Sequence, residues 1–316
     1  MIPTPGIDEI RAAAERIRRY VRQTPLLAAV PTKERPELSR GLRLKLEALQ
    51  VTGSFKARGA INALFAAPPD RLRRGVVTAS GGNHGLAVAY AGWAAEVPAT
   101  IFLPRSVAAD KIAKLDGWGA RVVIAGEVWD DSNRAALQHA ESESLAYIHP
   151  LADADVIAGQ GTIALEILDK APDLDTLLVA IGGGGLISGI SIAAKALKLS
   201  IRIVGVEPVG APTLHDSLAA GRLVELISLD TVAVTLAPRR SDPANFAIVR
   251  GAVERIVLVE DTEMQSAARW LWCEIGIATE LSGAAAVVAL LSGRYQMKAG
   301  ERVCAVVCGA GTDGFQ

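Results

Sequence analysis

The chain has 316 residues, half of them hydrophobic and 21% charged, with 33 basic and 34 acidic side chains and a formal net charge of −1. That length suits two domains with a large core, and the charge balance argues against nucleic acid as a partner, which needs a basic excess or patch. Cys273, Cys304 and Cys308 form neither a CxxC pair nor an even disulfide set; with no secretion signal and no apolar run of ~20 residues, the expectation is a cytoplasmic protein that neither crosses nor binds a membrane.

In chain order, strand and helix patterns alternate. Ile7–Tyr20 follows a Pro-Gly breaker and carries apolar residues at helical spacing. Strands are expected over Leu42–Glu47, Val76–Ala79, Thr100–Leu103, Arg121–Ala125, Thr176–Ile181, Ile201–Val206, Arg255–Val259 and Arg302–Cys308. Helices are expected over Asn83–Ala95, Ala108–Trp118, Asp131–Ser142, Gln160–Lys170, Leu186–Leu197, Thr262–Ile275 and Gly283–Leu291, with a solvated helix end at Arg71–Arg74. Several strands are near-continuous apolar runs, as parallel strands buried on both faces require. The pattern predicts an α/β fold with mostly parallel open sheets, whose ligands sit beyond the carboxyl ends of the strands.

Three strand-to-helix turns carry glycine. In Thr52-Gly53-Ser54-Phe55-Lys56-Ala57-Arg58-Gly59-Ala60, Ser54 is placed to cap a helix with Lys56 in its first turn. The helix dipole, the neighbouring Arg58 and any burial would favour a neutral, nucleophilic Lys56 amine; a solvated helix lysine is the bland alternative. Ser80-Gly81-Gly82-Asn83-His84-Gly85 lets backbone N–H groups approach an anion, or is merely a tight turn capped by Ser80. Four consecutive glycines, Gly182–Gly185, exceed what a structural turn needs and suit a phosphate cradle at a helix start. A dinucleotide site, with Glu207 as the ribose acid, fails on spacing, because Ile187 or Ser188 falls at the third glycine position.

These motifs, together with Val156–Thr162 and Gly205-Val206-Glu207-Pro208, resemble the serine/threonine dehydratase and serine racemase family. Its members are pyridoxal-phosphate enzymes of fold type II, with a tryptophan-synthase-β-like fold. The similarity runs from Thr24-Pro25-Leu26 to Cys308-Gly309-Ala310. It implies a large cofactor-binding domain from residues 1–70 plus 150–316, a small domain from 71–149, and a homodimer. It also implies that Lys56 carries pyridoxal phosphate, that Gly182, Gly183, Gly184 and Gly185 bind its phosphate, that Asn83 bonds its ring hydroxyl, that Phe55 packs near the ring and that Cys308 faces the pyridine nitrogen. Ser80, Gly81, Asn83 and His84 would receive the substrate carboxylate. The implied reaction is β-elimination from L-threonine or L-serine, with Lys56 as the base on Cα, giving a 2-oxo acid and ammonia.

The chain departs from the family pattern in places. Racemases use a second Ser where this sequence has Gly81, so the expectation is elimination with little racemisation. Members that bind a divalent cation use a Glu, a carbonyl and an Asp; Glu207 and Ala211 match the first two, but Thr213 replaces the Asp and weakens the site. Leu151 stands where several relatives carry a polar or aromatic residue near the substrate, and Glu280 matches a segment bordering the cofactor. With the sequence ending at Gln316, the expectation is that the regulatory domain of biosynthetic threonine dehydratases is absent, which points to a catabolic or specialised enzyme. The alternatives are dehydration of 3-hydroxyaspartate or an ectoine-derived amino acid, serine racemisation, β-replacement as in cysteine synthases, and a non-catalytic amino-acid binder. His139, His149 and His215 show no metal spacing and read as surface or core residues.

Overall fold

A computed structural model describes residues 4–315; residues 1–3 and 316, the outer ends of the division expected above, lie outside them. Among the described residues there are ten strands: β1 (Leu26–Ala28), β2 (Leu42–Leu46), β3 (Val76–Ala79), β4 (Ala99–Leu103), β5 (Arg121–Ile124), β6 (Ala146–Tyr147), β7 (Thr176–Ala180), β8 (Arg202–Pro208), β9 (Arg255–Val259) and β10 (Val303–Val307). The α-helices are α1 (Ile7–Ile17), α2 (Lys56–Ala66), α3 (Pro69–Arg74), α4 (Asn83–Ala94), α5 (Ala109–Asp116), α6 (Trp129–Ser142), α7 (Ala154–Lys170), α8 (Gly185–Leu197), α9 (Thr213–Ala219), α10 (Pro243–Ala252), α11 (Asp261–Trp270) and α12 (Leu281–Leu291). The expected helix over Thr262–Ile275 changes character at Leu271, where α11 gives way to a π-turn over Leu271–Ile275.

The strands form a six-stranded sheet in the order β1-β2-β10-β7-β8-β9 and a four-stranded sheet in the order β5-β4-β3-β6. Every pairing is parallel except that of β1 with β2. The last strand, β10, is inserted between β2 and β7, with Val307 opposite Leu46 and Val303 opposite Thr176. The chain segments leaving β2, β10 and β7 therefore emerge side by side, and these lead to Lys56, Cys308 and Gly182–Gly185. In the smaller sheet β3 and β6 are neighbours, so the Ser80 turn and the loop after β6 also emerge together. The strands are sealed by apolar side chains: Leu44, Leu178, Val179, Val204 and Val306 lie wholly buried in the larger core, and Ile61, Leu64, Val88, Ile101 and Leu103 in the second.

Two devices fix α2 and α8, the helices that present Lys56 and the glycine turn. The first is close helix packing against α7. A Cβ at Gly159 would lie 2.6 Å from the Arg58 carbonyl oxygen, and one at Gly189 would lie 2.3 Å from the Ile157 carbonyl oxygen. Any side chain at either position would drive the helices apart. The second device is ionic. Arg58 is fully buried; its Nε donates to Glu47 Oε2 at 2.8 Å, its Nη2 to Glu47 Oε1 at 2.9 Å, and its Nη1 to Glu166 Oε1 at 2.6 Å and Thr162 Oγ1 at 3.1 Å. Lys45, equally buried, bonds Glu166 and the Thr24 carbonyl. Burial opposes the Glu47 charge, yet Arg58 prevails and holds its pKa below the usual carboxylate value. Arg58 thus faces away from Lys56 into this cluster, contrary to the expectation that its charge would act on the lysine.

Replacing Arg58 by Met leaves Glu47 buried without its bidentate partner. Urea denaturation of R58M should show a loss of about 3–5 kcal/mol relative to the parent, and a loss below ~1 kcal/mol would refute the clamp.

Candidate active site

Lys56 opens α2, but Ser54 does not cap it: the capping position is Phe55, without a side-chain bond. Ser54 instead pairs across to Gly309, and Phe55 N–H donates to the Cys308 carbonyl at 3.2 Å. This stitching lays the start of α2 along the end of β10. The Lys56 Nζ donates to the Pro150 carbonyl at 2.6 Å and lies 5.3 Å from the centre of the Phe55 ring. Burial lowers its pKa to about 8, against smaller opposing pulls from Cys308 and Glu280.

Cys308 is buried, and its Sγ donates to the Ser282 carbonyl at 3.3 Å. Burial raises its pKa far above the usual thiol value, so it stays neutral. Asn83, the first residue of α4, donates through Nδ2 to Glu280 Oε1 at 2.8 Å. Glu280 also accepts from Ser282 Oγ at 2.6 Å, and burial raises its pKa. The Gly182–Gly185 turn leads into α8, with Gly184 at the capping position and φ of +95°, a conformation that favours glycine. The N–H groups of Gly185, Leu186 and Ile187 precede the first intrahelical bond, Ser188 N–H to Gly184 O at 2.9 Å, and point out of the helix start. The turn is braced from outside by Ser241 Oγ and Asn245 Nδ2, which donate to the Gly183 carbonyl at 2.9 and 3.1 Å.

The Ser80 turn is arranged likewise. Gly82 caps α4, and Ser80 Oγ accepts from Gly82 N–H at 3.3 Å. The imidazole of His84 turns inward: Nε2 meets the Ile148 carbonyl at 3.1 Å, and burial, then the nearby Lys56, lowers its pKa to about 3. With Nε2–H given to that carbonyl, the ring offers Nδ1 as an acceptor, so only the backbone N–H of His84 suits a carboxylate. A Cβ at Gly81 would meet Leu103 Cδ2 and Val107 Cγ2, each at 3.3 Å.

Glu207 and Ala211 are otherwise engaged. The Glu207 carboxylate accepts from Leu214 N–H and His215 N–H, each at 2.8 Å, and Ala211 O accepts from Thr213 N–H at 2.9 Å. Burial raises the Glu207 pKa to about 8 despite those two N–H groups. Among the described residues no group of three His, Cys, Asp or Glu side chains gathers into a metal site. No described helix is long and apolar enough to cross a membrane.

Pyridoxal phosphate suits these residues. Two helix starts offer bare N–H groups to anions, Lys56 at the start of α2 has a lowered pKa, and Asn245 Oδ1 and His84 Nδ1 are buried without a protein partner. Such equipment defines an enzyme that carries a phosphate-bearing cofactor on an amine. The sequence profile described as pyridoxal-phosphate dependent enzyme matches residues 17–309, and the chain belongs to that family. It is 38% identical over 304 residues to an L-threonine ammonia-lyase of Geobacter sulfurreducens, spanning 96% of this chain and 75% of the relative. A serine racemase of Oryza sativa subsp. indica is 37% identical over 290 residues, spanning 92% of this chain and 85% of that one. The fold superposes on the structure of maize serine racemase with a TM-score of 0.91 and 34% identity, covering 98% of this chain and 94% of the other.

Because only the neutral amine attacks an aldehyde, capture of pyridoxal phosphate by cofactor-stripped protein should rise with pH and level off above about 8. A rate still climbing at the ordinary lysine value of 10.5 would contradict the burial argument.

Proposed function

We propose that this enzyme is an L-threonine/L-serine dehydratase, an ammonia-lyase that removes the β-hydroxyl of a small hydroxy amino acid and yields a 2-oxo acid and ammonia. The observation that carries the reading is the pairing of a low-pKa Lys56 with a side-chain-free Gly81. The names of the threonine ammonia-lyase relatives support it.

When bound, pyridoxal phosphate supplies an electron sink for the charge left at Cα. Lys56 Nζ, largely neutral above pH 8, takes the Cα proton, and the Pro150 carbonyl holds the amine when it is free. The helix-start amides behind Gly182–Gly185 would hold the phosphate, and Ser80 with the N–H groups that open α4 would hold the substrate carboxylate. Asn83, tied to Glu280, would bond the ring hydroxyl, and Phe55 would pack near the ring. The neutral Cys308 thiol would serve the ring nitrogen without giving it a negative charge, which favours prompt loss of the hydroxyl. Gly81 can neither give nor take a proton on the opposite face of Cα, so racemisation lacks its second base. Leu151 brings no cation for a second carboxylate, which favours threonine and serine over 3-hydroxyaspartate. Among the described residues, 71–149 would form the smaller domain beside a larger one built from 4–70 and 150–315, and Glu207 and Ala211 would serve to anchor α9 rather than a cation.

Incubation with L-serine, L-threonine, D-serine and the 3-hydroxyaspartates should release 2-oxo acid fastest from L-threonine or L-serine, and Lys56→Ala should abolish both release and the visible absorbance of the bound cofactor. No 2-oxo acid from any of them would defeat the dehydratase reading. Chiral chromatography of the L-serine reaction should show little D-serine, and rapid D-serine formation would show that another group replaces the missing base. Chelation followed by Mg²⁺ should leave the rate unchanged.

A further inference from the structure

The loop between β6 and α7 touches the site at several points, and a histidine holds its shape. His149 Nδ1 accepts from Ala152 N–H at 2.9 Å and from Leu151 N–H at 3.2 Å. Between those groups the chain presents the Pro150 carbonyl to Lys56 Nζ at 2.6 Å. Leu151 lies against the glycine turn, where a Cβ on Gly183 would come within 2.4 Å of Leu151 Cδ2. The Leu151 carbonyl accepts from Asn245 Nδ2 at 3.0 Å. The loop's two ends are pinned separately: Ile148 N–H bonds the Val77 carbonyl at 3.0 Å, and Asp153 caps α7 through Asp155 and Val156 N–H. His149 holds the middle of the loop through a ring nitrogen. A ring nitrogen can accept only while it is unprotonated.

We propose that His149 is a positioning residue, whose unprotonated Nδ1 folds residues 149–152 so that the Pro150 carbonyl meets Lys56 and Leu151 seats on the glycine turn. Protonating Nδ1 turns it from acceptor to donor against two N–H groups, and the turn opens. The reading rests on Lys56 being the cofactor-bearing amine. The groups facing the imidazole are Asp153 at the start of α7, Asp242 at the start of α10, Lys56 on α2, His84 on α4 and Tyr147 on β6, whose ring centre is 6.2 Å away. Burial is the largest influence and lowers the His149 pKa; Lys56 adds to it, while Asp242 and Asp153 oppose. The loop is therefore closed at neutral pH and opens on the acid side of the ordinary histidine range, ~6.5.

The test uses the full-length enzyme as isolated and two variants. In His149→Asn the amide Oδ1 occupies the place of Nδ1 on the same Cβ–Cγ arm and accepts without titrating. His149→Phe keeps a ring and removes the acceptor. Hydrogen exchange at Leu151 and Ala152, corrected for intrinsic rates, is followed from neutral to acid pH beside the pH profiles of kcat and KM. In the parent, protection at both amides should fall about tenfold across the acid range, the worth of a lost buried hydrogen bond. H149N should keep its protection into the acid range, and the acid limb of its kcat should become shallower, leaving the titration of Lys56. H149F should lack the protection at every pH, with kcat falling more than KM rises. Parent-like protection in H149F, or a parent-like loss of protection at acid pH in H149N, would overturn the proposal. Should H149F fail to fold, H149N decides alone. The exchange data judge the loop even if every hydroxy amino acid proves inert, so failure of the dehydratase reading is separable from failure of this one.

Discussion

Arg58 is fully buried and shared by two carboxylates from different parts of the chain, Glu47 beyond β2 and Glu166 on α7. A buried guanidinium is tolerable only when its donors are spoken for, and removing either carboxylate would strand a charge in the interior. Such a cluster adds little net stability over a well-packed hydrophobic substitute. What it contributes here is placement. Arg58 lies two residues beyond Lys56, so the clamp on one face of α2 sets where the amine on the other face stands. The glycine contacts of α7 with α2 and α8 carry the same constraint across to the glycine turn.

Around Lys56 the protein withdraws its own charges. Burial lowers the lysine, keeps His84 and Cys308 neutral and raises Glu280. Backbone N–H groups at the starts of α4 and α8 remain as donors, and they serve anions without a titrating side chain. On the proposed function, the phosphate and carboxylate of the ligands would be the dominant charges of the site. A neutral amine beside them would act as a base rather than a counter-ion, the state that proton removal from Cα requires.

Strands β3, β4, β7 and β10 were legible from sequence because they are buried on both faces, and the limits of the expected strands match to within a residue or two. β1 and β6 escaped because segments as short as Leu26–Ala28 and Ala146–Tyr147 carry no periodicity. The helices α9 and α10 lie in a stretch where glycine and proline hide the pattern. The glycine turns could be read because four glycines in a row have few other uses. Ser54 misled, since a serine before a helix reads as a cap, whereas the pairing of Ser54 with Gly309 turns it elsewhere. Arg58 misled because nearness in sequence says nothing of which helix face a side chain takes. Asn245, Ser241 and the part played by His149 were hidden, since each acts on backbone carbonyls or amides distant in sequence or exposed only by the loop's fold.

The glycine seams between α7 and its two neighbours also bear on how such an enzyme changes over time. Where helices meet backbone to backbone, no compensating side chain exists to be swapped, so drift at Gly159 or Gly189 has no neutral path. The segments 149–152 and 231–241, which approach the glycine turn as loops, carry no such restriction. Side-chain changes that alter the surroundings of the glycine turn are therefore easier to accommodate in those two stretches than in the helical frame beneath Lys56.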